Sequence, residues 1–429
     1  MGQKKTLLLI LFFFLFFTFF INAKIYLLKI NGPIDSVTEE YISDSYEIIK
    51  HDDKSELIII GIDTPGGFST SMRSIIKEIM NSKIPTVVYV SPKGARAASA
   101  GFLITIAANI AAMAPGTNMG AAHPVSAMGK KIGKIMNEKV TNDAVSYVKS
   151  LAKTRNRNTL FAALAVEKSR SYTAKECLEN NLIDIIATDI NDLIDKISGK
   201  EYLLNRGGKA GLIIKDRHVI KLEMSWRQKF LKTITNPNLA YFLIIIGLAG
   251  LYIEFTHPGL IIPGVVGGIS LLLAFLAFQV LPINYIGLLL ILLSTGLFIA
   301  EIKIQGFGIL GIGGIIAFAL GSVMLINSPI PEMRPAMLTI VTVTIFFALL
   351  FLGLAYKVVK VMKKRAETGA EGIIGEEGKS LSSINSNHGK VFVHGEIWKA
   401  ISETPIKVNE KIEVISINNL TLKVIRKED

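Results

Sequence analysis

The stretch LIIIGIDTPGGFSTSMRSIIKEIM, residues 57–80, decides the fold of the first half of the chain. Its opening β-branched run is long enough only for a buried strand. After the DTPGG turn, apolar residues recur at steps of three and four, as in an amphipathic helix. Strand-like runs stand on both sides, KIYLLKI at residues 24–30 and PTVVYV at residues 85–90. This alternation predicts an α/β domain over about residues 24–200.

The N-terminus has the composition of an export signal. MGQKK places two lysines before the apolar run TLLLILFFFLFFTFFINA, which ends at Ala23. We therefore predict a signal peptide over residues 1–23, with an uncleaved anchor as the alternative. The single cysteine, Cys177, excludes an intrachain disulfide, so the exported domain must be stable through its core alone.

The second half is predicted to lie in a membrane. Half of the 429 residues are hydrophobic, and many of them cluster in long runs. The segment 201–238 combines Trp226 and Phe230 with basic residues, which predicts a linker that is either interfacial or an ordinary amphipathic helix. A transmembrane domain of about five helices should then cover residues 239–358. The predicted spans are 239–255, 260–280, 285–302, 307–326 and 337–356.

After residue 365 the composition changes to short strand-like pieces separated by Gly, Asn and Ser. GKVFVHG, EIWKAIS, KIEVIS and LTLKVIR predict a small β domain over residues 366–429, and a barrel is the compact way to close so few strands. Basic and aromatic residues interleave little in this domain. Protein interaction is therefore predicted here rather than nucleic-acid binding.

Charge predicts the orientation in the membrane. The net charge is +12, and the densest basic run, KVVKVMKKR at residues 357–365, directly follows the fifth predicted span. Basic flanks favour the cytoplasm. Because an odd number of spans puts the two soluble domains on opposite sides, we predict a multi-pass cell-membrane protein with an extracytoplasmic α/β domain and a cytoplasmic β domain.

One hydroxyl, Ser99, stands among small residues in GARAASAG, residues 94–101. A serine attacks a carbonyl only with a neighbouring base and with donors for the oxyanion. Gly66 and Gly67 follow a predicted strand and precede a predicted helix, so their amides are candidates for an oxyanion hole. Tight helix packing explains the small neighbours of Ser99 equally well, and a flexible turn explains the two glycines.

Two residues compete as the base. Lys149 lies at the edge of an apolar stripe formed by Val145, Val148 and Ala152, where desolvation would favour a neutral amine. A lysine that extends to water is the alternative. His123, in GAAHPV, is of a type that titrates near neutral pH, although a hydrogen-bonded loop histidine fits as well. No metal constellation is found in the sequence, and residues 128–140 are predicted to form a variable, lid-like loop.

In this order, DTPGG, GARAASAG, APGTNMGAAHPV and YVKSLA resemble the long-form NfeD proteins, which are membrane-bound serine proteases with a ClpP-like, crotonase-type fold. The likeness continues through NPNLAYFLIIIGLAGLYIEFTHPG, LPINYIGLLL and FGILGIGGI in the predicted spans. GAEGIIGEEG and GKVFVHGEIWKA are similar to the C-terminal OB-fold domain of that family. The resemblance therefore covers nearly the whole chain.

The resemblance implies a function for each candidate residue. Ser99 matches the nucleophile, Lys149 matches the base of a Ser–Lys dyad, and Gly66 and Gly67 match the oxyanion glycines. His123 follows Ser99 at a separation close to that in ClpP, so a Ser–His protease is the alternative. The family also implies a homo-oligomer without a cofactor that cuts a hydrophobic segment of a stomatin- or prohibitin-like (SPFH) membrane partner. A non-proteolytic membrane organiser with such a partner is the rival function.

Overall fold

The computed structural model describes residues 24–126, 133–203, 205, 209–211, 218–304, 308–362 and 372–427. The predicted signal peptide lies outside the described residues. The chain divides into two compact units. The first holds the α/β domain and most of the apolar helices, and the second holds the C-terminal β domain.

The first part of the chain alternates strands and helices, as the sequence predicts. Its strands are β1 (Lys24–Asn31), β2 (Ser55–Asp63), β3 (Thr86–Val90), β4 (Arg96–Ala98), β5 (Ile110–Met113), β6 (Asn118–Gly120), β7 (Ser171–Thr173), β8 (Ile185–Ile186), β9 (Glu201–Leu203), β10 (Lys209–Gly211) and β11 (His218–Lys221). Its helices are α1 (Ser36–Lys50), α2 (Ser69–Asn81), α3 (Ala100–Ala107), α4 (Lys134–Thr154), α5 (Thr159–Glu167), α6 (Ala174–Glu179) and α7 (Ile190–Ile197).

Six parallel strands form the central sheet, in the order β11-β1-β2-β3-β5-β8. Alternate residues of β2 enter two different cores. Ile58 and Ile60 face the core that includes α1 and α2, whereas Leu57 and Ile59 face the core that includes α7. A parallel sheet covered on both faces requires such continuous apolar strands. A smaller sheet, in the order β4-β6-β7, lies beside this layer structure.

The segment 201–238, predicted as a linker, is partly a piece of the α/β domain. Strand β11 pairs in parallel with β1, with Val219 opposite Ile25, and so forms the edge of the central sheet. Helix α8 (Trp226–Ile234) follows, and its capping box joins Ser225 and Gln228. The predicted domain end at residue 200 is therefore too early, because a four-residue edge strand with polar ends has almost no periodic signal.

Five apolar helices follow α8, close to the predicted spans. They are α9 (Pro237–Thr256), α10 (Ile261–Phe278), α11 (Tyr285–Ile304), α12 (Ile309–Leu325) and α13 (Met337–Met362). Three apolar stretches, Pro237–Thr256, Ile261–Phe278 and Pro331–Gly353, are long enough to cross a membrane, and Tyr285–Glu301 and Ile309–Leu325 are shorter. Helices α9 and α10 touch through backbone, since a Cβ at Gly267 would stand 2.8 Å from the Gly247 carbonyl oxygen.

The C-terminal domain is a closed five-stranded barrel, as predicted. Its strands pair in the order β12-β13-β14-β16-β15, which is the connectivity of an OB-fold. Val391, Ile412, Leu422 and Val424 fill the interior. The strands are β12 (Glu377–Ser380), β13 (Lys390–Val393), β14 (Glu396–Ile401), β15 (Lys411–Asn418) and β16 (Thr421–Arg426).

We predict that Cys177 is inert in the folded protein. It is fully buried on α6, and burial raises the pKa of its thiol to about 12. Because the thiolate is the reactive form, iodoacetamide at mildly alkaline pH should leave the native chain unmodified and should modify it fully in guanidinium. Mass spectrometry measures both. Equal modification rates in the two states would contradict the burial of this side chain.

Candidate active site

Ser99 stands at a sharp strand-to-helix turn between β4 and α3. Its backbone has φ 52° and ψ −113°, a left-handed conformation that costs a residue with a side chain of order 1–3 kcal/mol. The surrounding backbone fixes this turn: the Ser99 N–H donates to the Gly120 carbonyl at 2.8 Å, and the Ala98 N–H donates to the Thr64 carbonyl at 3.1 Å. A sharp strand-to-helix turn is also the geometry that exposes the serine hydroxyl in the nucleophile elbow of α/β-hydrolases.

The Gly66–Gly67 loop lies directly against this serine. A Cβ at Gly66 would stand 2.6 Å from the Ser99 Cβ, so only glycine allows the approach. On its other side the loop bonds to Ile34: the Ile34 N–H donates to the Gly66 carbonyl and the Phe68 N–H donates to the Ile34 carbonyl, both at 2.8 Å. A Cβ at Gly67 would stand 2.1 Å from that Ile34 oxygen. The loop is therefore held between Ile34 and Ser99.

Of the two amides that the sequence predicts for the oxyanion hole, those of Gly66 and Gly67, one is already engaged in a hydrogen bond. The Gly66 N–H donates to the Thr64 hydroxyl at 3.1 Å and is therefore engaged. Within the described part of the chain, the Gly67 N–H has no protein acceptor. Ala100 is the first residue of α3, so its N–H has no acceptor within the helix. The free donors beside Ser99 are thus Gly67 and Ala100. Ala100 is not among the site residues predicted from the sequence. A serine placed between a strand and a helix would have indicated it, because the next residue then has a free helix N-terminal amide.

Lys149 lies on α4, and the apolar stripe predicted for this helix is present. Val145, Val148 and Ala152 are buried. Lys149 itself is exposed, and among the described residues it has no hydrogen bond to Ser99. The prediction that this amine is desolvated is therefore wrong for the single chain that the structure describes, because the edge of the apolar stripe faces solvent. Helix α4 nevertheless packs on α3, the helix that starts next to Ser99.

Helix α4 is also tied to α2, which begins just after the glycine loop. The Arg73 guanidinium pairs with the Asp143 carboxylate at 2.5 Å and lies 4.3 Å from the centroid of the Tyr147 ring. Burial raises the pKa of Tyr147, and Arg73 opposes this effect, so the phenol stays protonated. These contacts hold the middle of α4 beside the elements that form the site.

His123 is fixed in the loop after β6. Its Nδ1 lies 3.0 Å from the Val166 carbonyl oxygen, which can only accept, so Nδ1 carries a proton; Nε2 has no hydrogen-bond partner among the described residues. Among the described residues there is no hydrogen bond between His123 and Ser99. Residues 128–132 of the predicted lid lie outside the described residues, but Lys134 to Val140 belong to α4. The loop prediction is therefore wrong for that part, because the helix begins earlier than its apolar stripe.

Two buried arginines hold the far end of α3. The Arg155 Nε donates to the Ala107 carbonyl at 2.7 Å, and the Arg157 Nη1 donates to the carbonyls of Ile106 and Ala108 at 3.1 and 3.0 Å. Arg157 also pairs with Asp184 at 2.6 Å. Burial and the nearby Arg157 lower the pKa of Arg155 to about 10. Both cations therefore satisfy C-terminal carbonyls of the helix that carries Ser99 at its other end.

Comparison with known proteins assigns the family. Three family models match consecutive parts of the chain: the NfeD1b N-terminal domain over residues 24–194, the NfeD integral membrane domain over 238–357 and the NfeD-like C-terminal, partner-binding domain over 370–426. The chain is 36% identical over 416 residues to the membrane-bound protease PH1510 of Pyrococcus horikoshii, with 94% of this chain and 93% of that one covered. The chain belongs to the NfeD family.

A second curated relative agrees with this assignment. The NfeD chain is 26% identical over 425 residues to the membrane protein NfeD1b of Bacillus subtilis, covering 94% of this chain and 90% of the relative. Two solved structures of the 1510-N membrane-bound stomatin-specific protease are also similar. A serine-to-alanine mutant is 34% identical, with TM-score 0.45 over 48% of this chain and 99% of that chain. A lysine-to-alanine mutant with a substrate peptide is 35% identical, with TM-score 0.46 over 50% and 98%. The family resemblance predicted from the motifs is confirmed, and the chain is a membrane protein.

The contact between Gly67 and Ile34 leads to a testable expectation. In Gly67→Ala the new methyl group must push the Ile34 carbonyl away, so the Phe68 amide should lose its acceptor and exchange its hydrogen faster. Hydrogen exchange read by mass spectrometry measures this in the full chain. Gly133→Ala is the matched control, because a Cβ at Gly133 meets no atom of the described residues within 4 Å. Unchanged exchange in Gly67→Ala would contradict the clamped loop.

The buried arginines predict a large effect on stability. Arg157→Met should lower the free energy of unfolding of the α/β domain by about 3 kcal/mol or more, because it removes the partner of Asp184 and leaves helix carbonyls unpaired. The guanidinium concentration at which the Cys177 thiol becomes reactive reports on this domain alone. Lys153→Met, on the exposed surface of α4, should change stability by less than about 0.5 kcal/mol.

Proposed function

We propose that this NfeD chain is a membrane-anchored serine endopeptidase with Ser99 as its nucleophile. The observation that carries the proposal is the strained turn at Ser99 beside the free amides of Gly67 and Ala100. A nucleophile held at a sharp turn next to two unpaired donors is the arrangement that acyl transfer requires. The name of the relative PH1510, a membrane-bound protease, supports the same reaction.

The mechanism follows from these groups. The Ser99 Oγ attacks the carbonyl carbon of the scissile peptide bond while the base takes the hydroxyl proton. The tetrahedral oxyanion accepts hydrogen bonds from the Gly67 and Ala100 amides. The base then returns the proton to the leaving amine, and an acyl-enzyme ester remains on Ser99. Water, deprotonated by the same base, hydrolyses this ester and regenerates the hydroxyl.

The base in this proposal is Lys149. Its helix packs on α3 and is tied to α2, so its exposed stem extends from an element next to the reaction centre. In this proposal a substrate or a second chain covers this face of α4 and removes the amine from water, which favours its neutral form. The homo-oligomer implied by the family would provide such a cover. His123, with its free Nε2, is the alternative base.

The proposed substrate is a hydrophobic segment of a stomatin-like membrane protein, and the partner is a protein of that SPFH type. The solved 1510-N relative is named as a stomatin-specific protease, and the C-terminal family domain is named as partner-binding. The proposed orientation places the α/β domain outside the cytoplasm and the barrel inside it. The basic run that follows the fifth apolar stretch supports this orientation.

The test is peptide cleavage by the full chain in nanodiscs. The substrates are apolar peptides from a stomatin-type protein, and the variants are Ser99→Ala, Lys149→Ala and His123→Ala. Ser99→Ala should lower kcat by roughly 10⁴-fold or more, because no nucleophile remains. Lys149→Ala should cause a comparable loss, whereas His123→Ala should retain activity. Lys153→Ala is the control, since it removes an exposed lysine one turn further along the same helix.

The outcomes separate the alternatives. Loss of activity in His123→Ala with activity retained in Lys149→Ala would transfer the role of base to His123. Full activity in Ser99→Ala would overturn the nucleophile assignment. A wild-type chain that binds the stomatin-type protein but cleaves no peptide would favour the membrane organiser.

A further inference from the structure

Lys232 connects helix α8 to the loop at residues 33–35, which lies against the Gly66–Gly67 loop. It lies on α8, directly before the membrane helix α9. Its ammonium group donates to the Asp35 carboxylate at 2.8 Å, to the Thr38 hydroxyl at 2.9 Å and to the Pro33 carbonyl at 3.0 Å. An ammonium group has three protons, so this cation is fully engaged. The side chain of Asp35 is only 8% exposed and that of Lys232 is 23% exposed.

Two acceptors of Lys232 flank Ile34, the residue that holds the Gly66–Gly67 loop. Pro33 and Asp35 are the chain neighbours of Ile34, and Ile34 bonds to the Gly66 carbonyl and the Phe68 amide. A Lys232 that holds both neighbours therefore fixes the position of Ile34. The Ile34 backbone in turn bonds to Gly66 and Phe68, the two chain neighbours of Gly67.

Other contacts of α8 with the α/β domain lie further along α1. Arg227 pairs with Glu40 at 2.6 Å, and Gln228 donates to Asp44 at 2.9 Å. These contacts orient α8, but they do not involve the loop at Ile34. Lys229 pairs with Glu223 at 2.5 Å, and both of those side chains are more than half exposed. An exposed pair of this kind contributes little, whereas loss of Lys232 leaves the nearly buried Asp35 carboxylate without its cation.

We propose that Lys232 is a positioning residue for the reaction: it holds the Gly67 amide at the oxyanion from the membrane side of the domain. The inference rests on the proposed function for its catalytic consequence. Lys232 does not touch the substrate. It acts through Ile34, so its loss should weaken the stabilisation of the transition state and leave ground-state binding of the peptide nearly unchanged.

The experiment compares Lys232→Met with the control Lys229→Met in the full chain in nanodiscs. Lys232→Met should lower kcat about 10-fold or more, short of the roughly 10²- to 10³-fold loss that follows complete removal of an oxyanion donor. KM should stay within about twofold, because the lost interaction is specific to the transition state. Lys229→Met should match the wild type. Equal kcat in the two variants would overturn the inference while the protease assignment remained in place.

Hydrogen exchange supplies a readout that does not depend on peptidase activity. The Phe68 amide, which donates to Ile34, should exchange faster in Lys232→Met than in Lys229→Met, with Cys177 still unreactive in both. A difference in kcat without this change in exchange would also overturn the proposed route through Ile34. If the wild type cleaves nothing, unchanged exchange at Phe68 still refutes the positioning role, and faster exchange supports it independently of the protease assignment.

Chemical rescue tests whether a positive charge at position 232 restores the activity that the substitution removes. Lys232→Cys treated with bromoethylamine regains an ammonium group on a side chain close to lysine in length. A cavity of about 220 Å³ lined by Pro33, Asp35 and Lys232 gives the reagent access. The only native cysteine, Cys177, is fully buried, so the reaction should be selective. Recovery of most of the lost kcat and of slow Phe68 exchange supports the role. Full modification without recovery of either would contradict it.

Discussion

The backbone contact between Gly67 and Ile34 is the constraint on which the candidate site depends. The two residues are too close for any Cβ at Gly67, and the hydrogen bonds of Ile34 with Gly66 and Phe68 fix the loop on that side. On the other side Gly66 touches Ser99. Because neither neighbour can move without breaking backbone hydrogen bonds, the strained turn and the free amides stay in one arrangement.

The elements around this contact support it from three directions. Strands β1 and β2 are parallel neighbours in the central sheet, so the loops that follow them lie side by side and meet at Ile34 and Gly67. The arginines after α4 hold the C-terminal end of α3, and Gly120 of the small sheet accepts from Ser99. From the membrane side, Lys232 holds the loop before α1, and Arg96 of β4 pairs with Glu332 in the turn before α13. The Arg96–Glu332 pair is about half exposed, so Lys232 makes the stronger connection.

Much of the architecture was predictable because the spacing of apolar residues indicates which face of a strand or helix is buried. The β-branched run at residues 57–62 predicted a strand with both faces covered, and the stripe at Val145, Val148 and Ala152 predicted the buried face of α4. The apolar stretches and the strands of the barrel were equally visible. Strand β11 and the start of α4 were not, since a short edge strand and an exposed helical turn carry no apolar pattern.

The sequence by itself determined the main apolar strands and helices, the order of the three structural classes and the family, because each depends on local composition or on motifs read along the chain. Only the tertiary structure decided which amides beside Ser99 are free, that Lys149 is exposed and that Lys232 reaches Asp35. Except for the local hydrogen bond between Gly66 and Thr64, these facts depend on contacts between residues far apart in the chain, such as Gly66 with Ser99, or α8 with the loop before α1. Hydrogen bonds and close backbone approaches of that kind leave no periodic trace, so folding had to bring the partners together before they could be recognised.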